Sequence, residues 1–301
     1  MNVSLFEHFS QQLPGVSLLA EEPLSAHTSF HIGGPAELMA FPKNAEELSS
    51  LLALSAKSDI KPVILGAGTN VLAPDEGLRG LVICMRDSFA QLRQISTTEI
   101  AADCGVTLKK AAMLARDLSL TGLEFAHGIP GTVGGGVYMN AGAYGGELKQ
   151  VVTQTTMMKS DGSIETVEGD AQQFSYRHSV FMERDSIILG AVFRLQQGDP
   201  DAIRARMQEL AEKRRSSQPL ELPSAGSTFK RPAVGYAAAL IEQAGLKGFR
   251  IGNAAVSEKH SGFVVNLGGA TAQDVLNLMK EVQRRVLESS GIQLEPEVRI
   301  L

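Results

Sequence analysis

The stretch Gly122-Leu-Glu-Phe-Ala-His-Gly-Ile-Pro-Gly-Thr-Val-Gly-Gly-Gly-Val-Tyr-Met-Asn-Ala-Gly-Ala-Tyr-Gly-Gly146 decides how the rest of the chain is read. Glycine stands at 122, 128, 131, 134, 135, 136, 142, 145 and 146. Such density marks left-handed backbone, or backbone that something must approach closely. A flexible linker would be built from glycine, serine and polar residues. Here the glycines are interleaved with apolar Ile129, Val133, Val137 and Met139, which suits a compact, partly buried turn system. Successive N–H groups in such turns can form concave anion-binding nests. The stretch therefore reads as half of a cradle for a phosphate-bearing ligand.

A second glycine loop, Gly66-Ala-Gly-Thr-Asn70, follows the short strand Lys61-Pro-Val-Ile-Leu65. It lacks the third glycine of a dinucleotide fingerprint, and Val71-Leu-Ala-Pro-Asp-Glu76 opens no convincing helix. No Gly-Lys-Ser/Thr follows, so it is not a P-loop either. Alone it serves equally as a tight turn or a ligand site. Paired with the cradle, it could hold the two phosphates of a dinucleotide from the other side.

Outward from these loops the chain alternates strands and helices. Residues 1–20 read as an amphipathic lead-in helix, 27–35 as a turn-rich segment and 36–41 as a strand. Asn44, with Glu47 three residues later, starts a helix carrying Leu48, Leu51, Leu52 and Leu54 on one side. Strands are expected at 80–85 and 99–103, and a helix from Thr107 to Leu120. Val151 to Glu168 alternates around Asp161-Gly162 as a hairpin, and 186–195 is a long apolar strand. Turn chemistry changes at Gln196-Gln-Gly-Asp-Pro200, which places the domain boundary there. Beyond it come a charged helix from Asp201 to Arg215, a short helix from Tyr236 to Ala244 and a strand at 262–266. A long helix capped by Thr271 and Asp274 follows, then a terminal strand at 294–301. The expected organisation is one region over 1–198, with subdomains of about 1–85 and 86–198, and a second domain over 199–301.

At 301 residues the chain is long for one core. Hydrophobic content of 44% and charged content of 20% are ordinary for a soluble enzyme. The net charge of −5 argues against a general nucleic-acid binder but permits local basic pockets for anionic substrates. Two cysteines, Cys84 and Cys104, lie in apolar runs and read as buried thiols of a reducing compartment. The N-terminus has no signal-peptide pattern and no apolar run would span a bilayer, so a cytoplasmic protein is expected. None of the histidines sits in a metal-ligand pattern, and no metal is expected.

Six motifs occur in order: Gly66-Ala-Gly-Thr-Asn70, Gly128-Ile-Pro-Gly-Thr-Val-Gly-Gly135, Met139-Asn-Ala-Gly-Ala-Tyr-Gly145, Tyr176-Arg-His-Ser179, Gly226-Ser-Thr-Phe-Lys230 and Glu295-Pro-Glu-Val-Arg299. In this register the chain resembles the UDP-N-acetylenolpyruvoylglucosamine reductase (UDP-N-acetylmuramate dehydrogenase) family from about Thr28 to Arg299. The resemblance implies an α+β protein with a vanillyl-alcohol-oxidase/PCMH-type FAD-binding fold and a C-terminal α+β substrate-binding domain. Tyr176 runs into the strand at Ile187 without room for a substrate-closing tyrosine segment, which matches the family's shorter, second type.

The resemblance further implies non-covalent FAD, held by Leu65, Gly66, Ala67, Gly68, Thr69 and Asn70 together with Gly128, Ile129, Pro130, Gly131, Gly134, Gly135, Asn140 and Gly142. A covalent link through the nearby His127 is the alternative. It implies NADPH as electron donor and reduction of UDP-N-acetylglucosamine enolpyruvate to UDP-N-acetylmuramate for peptidoglycan synthesis. No nucleic acid or membrane insertion is expected, and a monomer is. Carried over by motif, Ser227 is the proton donor, Glu297 the catalytic glutamate and Arg177 the catalytic arginine. Out of register these would read as a turn serine, a solvated strand carboxylate and a surface arginine. Lys230, Gln243 and Asn266 are implied substrate contacts. Arg214 and Arg215 could meet the UDP diphosphate or form a solvated, dipole-compensating helix end, and His260 fits a family segment or a structural role. The rival readings are an FAD oxidase of the same superfamily and a non-catalytic UDP-sugar- or flavin-binding relative.

Overall fold

Local signals fix most elements. The Asn44 side chain accepts the Glu47 N–H at 2.9 Å and starts the helix Ala45–Lys57, whose Leu48, Leu51 and Leu52 are buried. Thr107 caps Leu108–Asp117, and the reciprocal bonds of Thr271 and Asp274 cap Ala272–Ser290. Asp161-Gly162 turns the hairpin Val152–Lys159 and Ile164–Glu168, with Gly162 at φ +83° and Ser163 N–H donating to Asp161 Oδ1 at 2.8 Å. The computed structural model describes residues 4–301. The class is α+β, with the strands gathered in sheets and helices on their faces.

Two units divide the chain. The first holds the segments up to Ala20, Leu38–Ala67 and Gly80–Arg214. Most residues of a four-stranded sheet, in the order Ser17–Pro23, Pro35–Phe41, Leu78–Cys84, Val63–Leu65, belong to it. A five-stranded sheet runs Ile164–Glu168, Val152–Lys159, Ser186–Arg194, Glu99–Asp103, Leu92–Gln94. Phe9, Leu48, Ile83, Ala111, Phe181 and Phe193 lie in its continuous core. The second unit holds Glu21–Glu37, Gly68–Arg79 and Arg215–Leu301. Its sheet runs Ser224–Ser227, Phe263–Asn266, Ala254–Val256, Arg250–Ile251, and its core gathers Phe30, Leu72, Ile241, Val275, Leu278 and Val282.

This division differs from a single cut near 198 for two reasons. The helix Pro200–Ser217 buries Ile203, Met207 and Leu210 in the first core, so that unit continues to Arg214. Phe30, Ile32 and Leu72 lie in the second core, so 21–37 and 68–79 group with the C-terminal residues. The lead-in helix also ends early, as Leu5–Gln12, and Ser17–Pro23 is a strand. The expected terminal strand 294–301 is reduced to a bridge between Pro296 and Phe229 and a parallel pair, Arg299–Ile300 against Val71–Leu72. Pro296 has no N–H to continue a ladder.

Both cysteines are buried free thiols. Burial pushes the Cys104 thiol up to about 12, with Asp103 adding to the shift, and burial likewise raises Cys84. Among the described residues no helix is long and apolar enough to cross a membrane, and no group of histidine, cysteine and carboxylate side chains could hold a metal.

Candidate active site

In the first unit the two glycine loops meet. Val63–Leu65 pairs in parallel with Leu78–Cys84, and a Cβ added to Gly66 would stand 3.0 Å from Thr132 Oγ1. Thr132, buried, caps a short helix, Val133–Tyr138. The glycines there are helical rather than left-handed, which corrects the picture of a pure turn system. Val133 N–H donates to Val106 O at 2.7 Å and Gly134 N–H to Cys104 O at 2.9 Å, so these two amides build no nest. A Cβ on Gly134 would lie 2.9 Å from Cys104 Cβ, and one on Gly136 would lie 3.1 Å from Leu108 and Leu148. Gly135 has room, its nearest neighbour being Thr132 Oγ1 at 3.7 Å. Before the helix, Gly131 takes φ +134°, which a side chain rarely allows.

Arg214 completes this part. Its Nε lies 3.1 Å from where a Gly128 Cβ would be, and that buried nitrogen has no hydrogen-bond partner. Burial lowers the Arg214 pKa, while the Tyr144 phenol favours the charged form. A half-buried cation whose buried Nε is an unsatisfied donor, beside a glycine that leaves space, fits a bound anion. Beside Gly128 in the chain, burial first and then Lys109 and Arg116 lower the His127 pKa.

Arg177 sits at the tip of a tight turn closed by the Ser175–His178 bridge, in left-handed backbone at φ +54°. Its guanidinium lies 4.9 Å from the Tyr176 ring centroid and donates to Gly142 O at 3.4 Å. Asn140, with no exposed surface, anchors this turn. Its Nδ2 donates to Ser175 O and Glu147 Oε2, both at 2.9 Å, and its Oδ1 accepts Lys149 N–H at 2.9 Å.

In the second unit, Ser227 and Glu297 are brought onto neighbouring segments. Glu297 N–H donates to Thr228 O at 2.8 Å and Lys230 N–H to Glu295 O at 2.8 Å. Asn70 Nδ2 donates to Glu297 O at 3.2 Å, and Asn70 O accepts Arg299 N–H at 3.0 Å. Thr228, buried, donates its N–H to Gly262 O and accepts Val264 N–H on Oγ1. Gly226 adopts φ +74° where the pairing with Phe263–Asn266 slips, and this re-aims Ser227. Lys230 Nζ lies 3.4 Å from Glu295 Oε2. At the next turn of this sheet, His260 Nδ1 accepts Gly262 N–H at 3.1 Å, and burial lowers its pKa.

A family model described as the C-terminal domain of UDP-N-acetylenolpyruvoylglucosamine reductase matches residues 218–301, and an FAD binding domain model matches 36–168. The UDP-N-acetylenolpyruvoylglucosamine reductase of Agathobacter rectalis is 46% identical over all of this chain and 99% of its own length. The chain belongs to the UDP-N-acetylenolpyruvoylglucosamine reductase family. The reductase of Caldanaerobacter subterraneus subsp. tengcongensis is 44% identical over 99% of this chain and 98% of its own. The crystal structure of the Thermus caldophilus reductase superposes with a TM-score of 0.80 at 32% identity, covering 95% of this chain and 98% of that one.

Within this reductase-family fold the expected site residues fall into three groups. Leu65, Gly66, Ala67, Gly128, Ile129, Pro130, Gly131, Gly134, Gly135, Gly142 and Arg177 belong to the first unit. Gly68, Thr69, Asn70, Ser227, Lys230 and Glu297 belong to the second. Gly68 needs φ +62°, and a Cβ there would strike His27 O. Asn140, Asn266, Leu65 and Gln243 are set apart by their surroundings. Asn140 and Asn266 commit both ends of their amides to the protein. The 3%-exposed Asn266 donates to Phe30 O and accepts Gly268 and Ala270 N–H. Leu65 is 1% exposed and serves the core. Gln243 is exposed at the end of Ala237–Gln243. The short connection from His178 to Ser186 holds one turn of helix, Val180–Met182, and no further segment.

The placement of Arg214 went unread in the sequence, although its signal was present. It continues the stripe Ile203, Met207, Leu210 at spacings of four, three and four residues, so it shares the buried helix face, while Arg215 turns outward.

Proposed function

We propose that this chain reduces UDP-N-acetylglucosamine enolpyruvate to UDP-N-acetylmuramate, a step of peptidoglycan precursor synthesis on which cell shape and division depend. Bound FAD would supply the hydride chemistry that links NADPH to the enolpyruvyl double bond. The residues of the first unit that would hold the cofactor are Gly66–Ala67, Gly128–Gly131, Gly135 and Arg214; Gly68–Asn70, of the second unit, are the remaining loop residues of that reading. The chain's own residues handle the charge and the proton. Reduction of a double bond beside a carboxylate builds enolate charge, and the planar, always-charged fork of Arg177 suits that carboxylate. Ser227 hands its hydroxyl proton to the enolate carbon. Glu297 and Lys230, on the segments bridged to Ser227, tune that hydroxyl and its conjugate base. Asn140 and Asn266 act by positioning, Asn140 by holding the Arg177 turn. Gln243 is the outermost substrate contact. The reading carries with it a cytoplasmic monomer, non-covalent flavin and no metal.

The observation that carries the reading is the bond from Glu297 N–H to Thr228 O, which ties the Glu297 segment beside Ser227. Anaerobic stopped-flow absorbance of Ser227→Ala tests it. Flavin bleaching by NADPH should persist, while return of the oxidised spectrum on adding the enolpyruvyl substrate should slow by at least about 100-fold. Equal loss of both half-reactions would refute the proton-donor role. Wild-type flavin that reoxidises only in oxygen would favour the oxidase reading.

A further inference from the structure

Residues 28–32 form a tight knot in the second unit. Thr28, buried, donates its hydroxyl to Ile32 O at 3.0 Å, and Phe30 plants its ring in the core. Ser29, between them, meets two other segments at once. Its N–H donates to Gly68 O at 3.0 Å, and its O accepts Ser224 N–H at 3.1 Å. Its hydroxyl lies 2.6 Å from Ser224 O and 3.4 Å from Gly68 O. A hydroxyl has one proton, and only the shorter contact has the length of a good O–H···O bond, so Ser224 O receives it. Ser224 therefore has both its N–H and its O bound to Ser29, a residue 195 positions away.

Ser224 opens the strand Ser224–Ser227, whose ladder is pinned at its two ends. Ser224 pairs with Val265 and Ser227 with Phe263, and the register slips between them. At the slip Gly226 holds φ +74°, with no atom within 4 Å of where a Cβ would stand. A glycine with open space around it is a soft joint that swivels at little steric cost. The aim of the Ser227 hydroxyl then depends on how firmly each end of the strand is held. Phe263 and the bond from Thr228 N–H to Gly262 O hold the far end, and Ser29 holds the near one. We propose that Ser29 is a positioning residue: by fixing Ser224, its hydroxyl aims the Ser227 hydroxyl at the carbon that takes the proton. This rests on the reading of Ser227 as the proton donor. The loop at Gly68 is held differently. Gly68 O takes the Ser29 backbone N–H, which any residue but proline supplies, so the side chain serves the strand and the backbone serves the loop.

The test is anaerobic stopped-flow absorbance of the flavin-loaded full chain, for wild type, Ser29→Ala, Ser29→Thr, Ser227→Ala and the double alanine variant. Ser29→Ala should slow flavin reoxidation by UDP-N-acetylglucosamine enolpyruvate about tenfold, because a small misplacement of a reacting group is costly. Bleaching by NADPH should keep its wild-type rate. FAD affinity, read by fluorescence titration of the flavin-stripped chain, should stay within about twofold of wild type, since the backbone bond to Gly68 survives. Ser29→Thr keeps a hydroxyl and should restore most of the rate. In the Ser227→Ala background, Ser29→Ala should slow reoxidation no further, because no hydroxyl is left to aim. Wild-type reoxidation in Ser29→Ala, equal slowing of both half-reactions, a threonine variant as slow as the alanine one, or multiplication of the two effects in the double variant would overturn the inference while the proton-donor reading stands. Wild-type reoxidation in Ser227→Ala alone would overturn both.

Discussion

Replacing Asn140 by alanine separates a ligand contact from a fastener. The side chain has no exposed surface and makes three bonds of 2.9 Å, to Ser175 O, Glu147 Oε2 and Lys149 N–H. Removing it leaves a carbonyl and an amide unsatisfied, at about 1 kcal/mol each, and strips a donor from a carboxylate, at about 1.5 kcal/mol or more. The Glu147 term sits at the low end, because its side chain is 26% exposed and also meets Lys149 Nζ at 2.8 Å. Asn140 also holds φ +42°, which asparagine tolerates and alanine resists by about 1 kcal/mol. The expected cost is therefore about 4 kcal/mol. At roughly 2–4 °C per kcal/mol, the melting midpoint should fall by about 8–16 °C. Asn140→Gly relieves the backbone term and should recover about 1 kcal/mol of it. The assay is thermal unfolding of the three proteins followed by circular dichroism, with anaerobic stopped-flow on the folded variants. The Ser175–His178 turn that carries Arg177 loosens with Asn140, so substrate-driven reoxidation should suffer more than FAD affinity. A midpoint within about 2 °C of wild type, or loss of FAD affinity without loss of stability, would refute the fastener argument and return Asn140 to the cofactor contacts.

Two further outcomes follow from buried titratable groups. Burial lowers the folded pKa of His260 below its ordinary 6.5, so the unfolded chain binds the proton more readily. Its contribution is fully present above 6.5 and is lost as pH falls from there through the depressed folded value. Denaturant titrations between pH 7 and 5 should show stability falling with acid and a shallower fall in His260→Gln; an unchanged slope would contradict this. Cys104, with a thiol pushed up to about 12, and the buried Cys84 should resist a thiol-specific reagent at pH 8 in the native protein. Both should react on unfolding; prompt native labelling of Cys104, in the turn after Glu99–Asp103, would contradict this.

The elements were legible wherever the signal was local. Asn44, Thr107 and Thr271 cap the helices they were read to start, and Asp161-Gly162 turns its hairpin. The motif order from Gly66 to Arg299 was enough to place the chain in its family, because each motif is a short run of residue types in a fixed sequence. The asparagines were not legible in the same way. Asn140 and Asn266 sit in the right motifs, yet besides nearby partners each also bonds a distant carbonyl, Ser175 O and Phe30 O, 35 and 236 residues away. Nothing near them in sequence says whether an amide faces a ligand or the protein's own backbone. The boundary near 198 illustrates the same point: a break between the strand Gln196–Gln197 and the helix Pro200–Ser217 does fall there, but the helix returns its apolar stripe to the first core.

The sequence by itself determined the element order, the family and the short list of chemistry-bearing residues, since caps, glycine turns and apolar periods act within a few residues. The tertiary structure alone decided that 21–37 and 68–79 group with the C-terminal unit, that Thr228 O accepts the Glu297 N–H, and that the buried Nε of Arg214 lies beside Gly128. Those facts are set by which distant backbone groups and apolar faces satisfy one another once the chain is compact, and no local pattern encodes that pairing.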